Sequence, residues 1–193
     1  MTKAERTRQL IIDKSAPLFN SKGIAGTSLS DILDATKLAK GSLYVHFENK
    51  EAISHAVVDH FVGKKLKFLE ATLSRPGSAK EKLFAYLDVF LDPVSPPFEG
   101  GCPFLNFGME ADDLDQIIRK KVKKIIDIVQ QRIADTFEEG RANGEFKANI
   151  LPQEFAIKLY AMMEGAVMMT RISGNGNYMK VVAKLLKQEI LES

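Results

Sequence analysis

The sequence predicts an all-α protein of about nine helices, and three observations carry that prediction. Apolar residues recur at helical spacing along most of the chain. No segment alternates apolar and polar residues with β-branched enrichment, and no Asn-Gly or Asp-Gly hairpin turn separates such runs. Glycines, prolines and capping residues stand where helices would start and stop. The chain has 193 residues, 45% apolar and 27% charged, enough for one domain or two small ones with a sizeable core. This composition excludes disordered and collagen-like chains. The lone cysteine, Cys102, excludes a disulfide framework. No uncharged apolar run approaches the ~18 residues of a membrane span. The charged start, Met1 to Arg8, leads into no signal-peptide core. The expectation is a cytoplasmic, soluble protein with no membrane partner.

The elements follow in order. Lys3 to Ser21 carries Ile12, Ala16 and Phe19 on one face; Pro17 should bend it, and Gly23 should end it. Ser28 to Asp31 is a capping-box-like start with Asp in place of Glu, opening a short helix through Ala35. A second short helix spans Lys40 to His46. Asn49 caps a long one to about Leu73, and Pro76-Gly77 punctuates the chain. Lys80 to Leu91 aligns Leu83, Leu87 and Phe90. Asp92 to Pro103 is a Pro- and Gly-rich loop, followed by a short helix from Phe104 to Ala111. Asp115 to about Arg141 keeps Ile118, Val122, Ile125, Val129, Ile133 and Phe137 in register, with Gly144 after its end. Pro152 to Arg171 and Tyr178 to Leu191 complete the set, joined by the flexible Gly174-Asn175-Gly176-Asn177.

Charge points to one end. Residues 1–50 hold eight Lys/Arg against five acids, whereas the rest of the chain is nearly balanced, so a basic head precedes a neutral body. Such a head suits a polyanion, though chance gives the same asymmetry. In the head, helices 28–35 and 40–46 flank the short turn Thr36-Lys37-Leu38-Ala39, the arrangement of a helix-turn-helix. In that motif the second helix enters the major groove of double-stranded DNA. Lys40 offers charge, Gly41 close approach, Ser42 and Tyr44 hydroxyls, and His46 a ring nitrogen. Thr27 and Ser28 offer hydroxyls to a phosphate or to a backbone amide. Lys37 stands in the turn, and Lys50, at the start of the next helix, can meet a phosphate. Leu43 and Phe47, four apart, should face a core with Phe19 and Ile32.

Gly26 to Ile32, Leu38 to Phe47 and Asn49-Lys50-Glu51, with Ile11-Ile12, Leu18-Phe19 and Gly23 before them, resemble the head of the tetracycline-repressor (TetR) family over roughly residues 5–55. The resemblance implies a DNA-binding domain at 1–48 and a ligand-binding, dimerising helical body at 49–193. The residues expected to meet DNA are Thr27, Ser28, Lys37, Lys40, Gly41, Ser42, Tyr44, His46 and Lys50. Two residues depart from the common pattern: Lys37 where glycine is frequent, and Ala39 where serine often caps the reading helix. Lys37 should therefore adopt a strained turn conformation, and the reading helix should lack a side-chain cap.

The body also permits an argument from its residues. The helix 152–171 is apolar along Phe155, Leu159, Met162, Ala166 and Met169, and along a neighbouring stripe of Ala156, Tyr160, Met163 and Val167. So wide an apolar arc needs cover on both sides, and a two-fold copy is the commonest solution. Tyr160, Met163 and Val167, with Val182 and Leu186 of the last helix, are the expected homodimer face; a monomer with central last helices is the alternative. An adaptable apolar pocket would draw on Phe61, Phe84, Leu87, Phe90, Cys102, Phe104, Phe107, Met109, Phe155 and Met162, residues that serve equally as plain core. Cys102, before a helix N-terminus, is either a reactive thiol or an inert one. Its Gly-Cys context resembles a branch of the family with cysteine-sensing members.

Nothing in the sequence marks an enzyme: there is no Gly-rich phosphate loop, Gly-x-Ser-x-Gly elbow or His-Glu-x-x-His. No cofactor or metal is expected. His55 and His60 are five apart, which places them on different faces, and Glu110, Asp112, Asp113 and Asp115 read as a solvated acidic turn. The expected function is a sequence-specific DNA-binding transcriptional regulator, a repressor released from its operator by a small apolar or electrophilic ligand. The alternatives are a DNA-binding dimer with no small-molecule effector and a thiol-based sensor acting through Cys102.

Overall fold

The computed structural model describes residues 1–91, 100–111, 114–146 and 150–193. Among the described residues there are nine α-helices and no strand. Most of the expected loop 92–103 and both Asp112 and Asp113 lie outside them. The helices are α1 (Lys3–Gly26), α2 (Leu29–Thr36), α3 (Lys40–His46), α4 (Lys50–Leu73), α5 (Ala79–Asp88), α6 (Pro103–Ala111), α7 (Gln116–Ala142), α8 (Pro152–Ser173) and α9 (Asn177–Glu192).

Local chemistry accounts for most boundaries. Thr2 opens α1 with a capping box, exchanging hydrogen bonds with Glu5. The expected stop at Gly23 is a break and not an end. Gly23 takes φ +78°, open to glycine without a Cβ clash, and helix then continues to Gly26. Pro17 leaves the helical dihedrals of α1 intact; the departure falls at Gly23. Ser28 and Asp31 form the expected box at α2. Asn49 caps α4 by accepting from the Ala52 N–H at 2.7 Å. Ser78 and Glu81 form a third box at α5, which the sequence reading passed over. α5 stops at Asp88, and Val89–Leu91 tightens into a 3-10 turn, so the expected helix to Leu91 has two parts.

The chain divides into two compact units. One is Met1–Lys64 with Phe98–Lys123; the other is Lys65–Pro97 with Lys124–Ser193. The long helices α4 and α7 each contribute to both units, whereas the sequence motif draws its domain boundary after residue 48. In the first unit Ile11, Phe19, Ile32, Leu43, Phe47, Ile53 and Val57 are buried around α1 to α4. In the second, Phe137 stacks on Phe146 at 4.3 Å between ring centroids and tilts against Phe155 at 4.8 Å. Around these rings Leu83, Leu87, Val129, Ile133, Leu159 and Leu186 are buried, and α8 packs along α9. Lys82 is buried here as well, with both carboxylate oxygens of Glu139 at 2.7 and 2.9 Å from its ammonium.

Phe137 is fully buried and touches two other rings. Phe137→Ala should lower unfolding free energy by ~3–5 kcal/mol, read from chemical denaturation curves.

Candidate nucleic-acid interface

The helix-turn-helix is built from α2, the turn 37–39 and α3. Lys37 caps α2 in the left-handed region, φ 57° and ψ 25°, and its N–H reaches the Leu33 carbonyl at 2.8 Å. It has the strained conformation expected of it. Ala39 begins α3 with no side-chain cap, also as expected. Leu43 and Phe47 point into the core and hold α3 against α1 and α2.

That packing leaves one face of α3 outward. Lys40, Gly41 and Tyr44 are exposed, and Ser42 and His46 are partly so. The side-chain polar atoms of Lys40, Ser42, Tyr44 and His46 make no hydrogen bond to the described residues. A Cβ built on Gly41 meets nothing within 4 Å. Val45, 80% exposed, lies on the same outward side. The sequence reading missed it because an apolar residue in so short a helix looks like core.

Three further groups set the turn that precedes α2. Glu110 of α6 places its carboxylate against the break in α1, accepting from the Ile24 N–H at 2.7 Å and the Ala25 N–H at 2.6 Å. Lys50 of α4 donates to the Ile24 carbonyl at 2.7 Å and the Thr27 carbonyl at 2.9 Å. Thr27 is fully buried, and its hydroxyl donates to the Gly23 carbonyl at 2.7 Å. Thus Lys50, expected to meet a phosphate, and Thr27, expected to reach a phosphate or a backbone amide, are both turned inward in this structure. The reason is the end of α1, whose carbonyls need partners that its own backbone does not supply. Ser28 stays exposed but is occupied as the cap of α2. α6 is tied to α1 a second time through Asn106, whose amide donates to the Asn20 carbonyl at 3.0 Å.

Asp31 carries the electrostatics of the α2 start. The Lys22 ammonium at 2.6 Å, followed by hydrogen bonds from Ser28, holds its carboxyl far below the ordinary 3.8. Asp115 caps α7 by accepting from Ile117 and Ile118, and its other oxygen lies 2.7 Å from His55 Nε2. Burial pushes this carboxyl up, but the Ile118 and His55 hydrogen bonds outweigh it and leave it below the usual value. Glu51 adds a third donor atom 3.9 Å from His55. Only the Asp115 contacts belong to the helix cap; Glu51, His55 and Asp115 together bring three possible ligand atoms within 4.8 Å of one another, although the spacing of His55 and His60 pointed to no metal site.

The residues expected to line a pocket divide between the two units. In the first, Phe61, Cys102, Phe104 and Phe107 are buried, with Phe61 and Phe107 in ring contact at 5.8 Å. Met109 is 75% exposed and lines no interior space, because it sits on the outer face of α6. In the second, Leu87 is buried, while Phe84, Phe90 and Met162 are partly exposed. Phe155 belongs to the Phe137 ring cluster and serves as core. The residues expected on a dimer face are mostly covered within the chain itself. Tyr160, Met163 and Leu186 are buried within the unit, and Val167 and Val182 are only partly exposed. The exposed large apolar side chains are Ile157, Met168, Met169 and Ile172 on α8, with Tyr178, Val181, Leu185 and Leu191 on α9. α8 packs along α9, most of both expected apolar stripes of α8 is buried, and Ile157, Met168 and Ile172 lie outside those stripes.

A short, outward-facing helix held by a buried three-helix core defines a helix-turn-helix DNA-binding protein. Known proteins agree. Residues 11–57 match the family description "Bacterial regulatory proteins, tetR family", and residues 79–186 match "Tetracyclin repressor-like, C-terminal domain". An uncharacterised HTH-type transcriptional regulator of Lactococcus lactis subsp. lactis is 30% identical, covering 94% of this chain and 91% of its own. The transcriptional repressor DhaR of Mycobacterium sp. (strain GP1) is 27% identical over 87% and 84%. The crystal structure of a TetR-family regulator from Cytophaga hutchinsonii superposes with a TM-score of 0.91 at 37% identity, covering 98% and 96%. The chain belongs to the TetR family of helix-turn-helix transcriptional regulators. Among the described residues no helix is long and apolar enough to cross a membrane.

Two outcomes follow from the turn. Because the folded carboxyl of Asp31 sits below its ordinary value, its contribution to stability is complete above about pH 5 and is lost as pH falls through 3.8 toward the folded value. The stability gap between wild type and Asp31→Ala should therefore be constant near neutrality and close in acid, as followed by denaturation at stepped pH. Glu110→Ala removes two charge-assisted hydrogen bonds from Ile24 and Ala25. It should cost ~1–3 kcal/mol of stability by thermal unfolding.

Proposed function

We propose that this regulator is a cytoplasmic homodimeric repressor. Each protomer offers α3 to the major groove of a palindromic operator, at half-sites one DNA turn or a small multiple apart. The observation that carries this reading is the outward face of α3. Among the described residues, nothing hydrogen-bonds the side-chain polar atoms of Lys40, Ser42, Tyr44 and His46, and Gly41 leaves open space beside them. Lys40 and Lys37 supply charge for phosphates, Tyr44 and Ser42 supply hydroxyls, and Val45 supplies an apolar contact of the kind a thymine methyl accepts. Lys50 and Glu110 are positioning residues that fix the turn before α2. The exposed apolar stripe on α8 and α9 is the proposed two-fold contact.

The regulator responds, in this reading, to a small molecule bound in the helical body. The ligand must favour the conformation whose heads do not match the operator, since equal affinity for both states shifts nothing. One observation supports a second route to release. Cys102 is buried at the start of α6, the helix whose Asn106 and Glu110 bond directly to α1. A change at that thiol would strain the same helix.

Selection of bound fragments from the source genome tests the reading. It should return one palindromic site, bound by a dimer with steep salt dependence. Gly41→Ala should leave thermal stability unchanged or slightly higher, because glycine is a poor helix former and the added methyl meets nothing. It should also weaken binding to that site by about tenfold, the result of holding a close backbone approach away from the groove. Affinity equal to wild type would remove α3 from the interface.

A further inference from the structure

Lys65 of α4 is 3% exposed. Its ammonium lies 3.3 Å from the Tyr86 hydroxyl and 5.0, 5.2 and 5.3 Å from the ring centroids of Phe68, Tyr86 and Phe90. All four residues belong to the second compact unit. An ammonium has three donors, and Tyr86 accepts one of them at a long distance. Among the described residues no carboxylate pairs with Lys65. The other buried lysine of this unit, Lys82, is arranged differently, with both oxygens of Glu139 in hydrogen-bond reach. A buried charge needs such a partner, and ring faces attract a cation without accepting its N–H groups as an oxygen does.

We propose that Lys65 is the anion-recognising group of an effector site, and that the effector is a small organic acid with one carboxylate and an apolar body. This rests on the reading of the chain as a ligand-responsive regulator. The carboxylate accepts from the free N–H groups of Lys65, and the apolar body lies against Phe68 and Phe90. A single ammonium among aromatic rings suits one charge; a phosphate would call for more donors, commonly the fork of an arginine. Phe90 belongs to the 3-10 turn Val89–Leu91, none of whose residues is buried, so this wall is the one that can swing aside for a ligand.

The test uses the full chain and three acids at millimolar concentration: benzoate, cinnamate and octanoate. Thermal unfolding should show a rise in Tm with at least one acid and none with the corresponding amide. Lys65→Met keeps the volume and removes the charge, and should weaken binding of that acid by about tenfold or more in calorimetry. Phe90→Ala, on a partly exposed turn, should weaken it as well with the fold intact. Failure of all three acids to raise Tm overturns the inference. So does equal binding of acid and amide, or a Lys65→Met protein that binds the acid like wild type. Operator binding is measured on the same samples. A protein that holds its operator but takes no acid keeps the regulator reading and loses this one. A protein that takes the acid but finds no operator does the reverse.

Discussion

The break in α1 at Gly23 is the constraint on which the DNA-facing end depends. Where a helix is interrupted, N–H groups on one side and carbonyls on the other lose their partners together. Here two side chains of opposite charge take them up. The Glu110 carboxylate holds the N–H groups of Ile24 and Ala25, and the Lys50 ammonium holds the carbonyls of Ile24 and Thr27. The charges match the partial charges of the groups they meet, so each contact gains from electrostatics as well as geometry. The direction in which α2 leaves, and with it the aim of α3, follows from this bracket. It also makes α6 and α4 part of the machinery of the head, although both lie beyond the helix-turn-helix in sequence.

The second unit solves its problem by sorting apolar from charged groups. Aromatic rings fill the centre around Phe137. Lys82 enters that interior with its own carboxylate, whereas Lys65 enters with aromatic rings and the Tyr86 hydroxyl. Two buried lysines within one helical unit are thus held by different physics. One is an internal ion pair that closes on itself, and the other leaves part of its bonding capacity unspent.

Much of the head was legible in the sequence because its chemistry is local. The Ser28 to Asp31 box, the Asn49 cap, the strained Lys37 and the uncapped Ala39 are each decided within a few residues. The core positions Leu43 and Phe47 follow from helical spacing. The inward turn of Thr27 and Lys50 was not legible, because their partners are set by how α1, α4 and α6 meet. Glu110 reads as a solvated acid until α6 is placed beside α1. In the body, most of both apolar stripes of α8 is buried, and the exposed Ile157, Met168 and Ile172 lie outside both, which periodicity alone did not reveal. Lys65 gave no signal at all, since a lysine in an amphipathic helix is ordinarily assigned to solvent.

Lys37 has a consequence for how this protein can change. A left-handed conformation at a residue with a side chain costs roughly 1 kcal/mol that glycine would not incur. The chain therefore carries a local penalty in the segment between its two DNA-facing helices, with a cation at the strained point. A single exchange for glycine would relax the backbone and delete a charge in one step. In the proposed interface, where Lys37 supplies charge to a phosphate, tighter folding and tighter binding therefore compete at this turn.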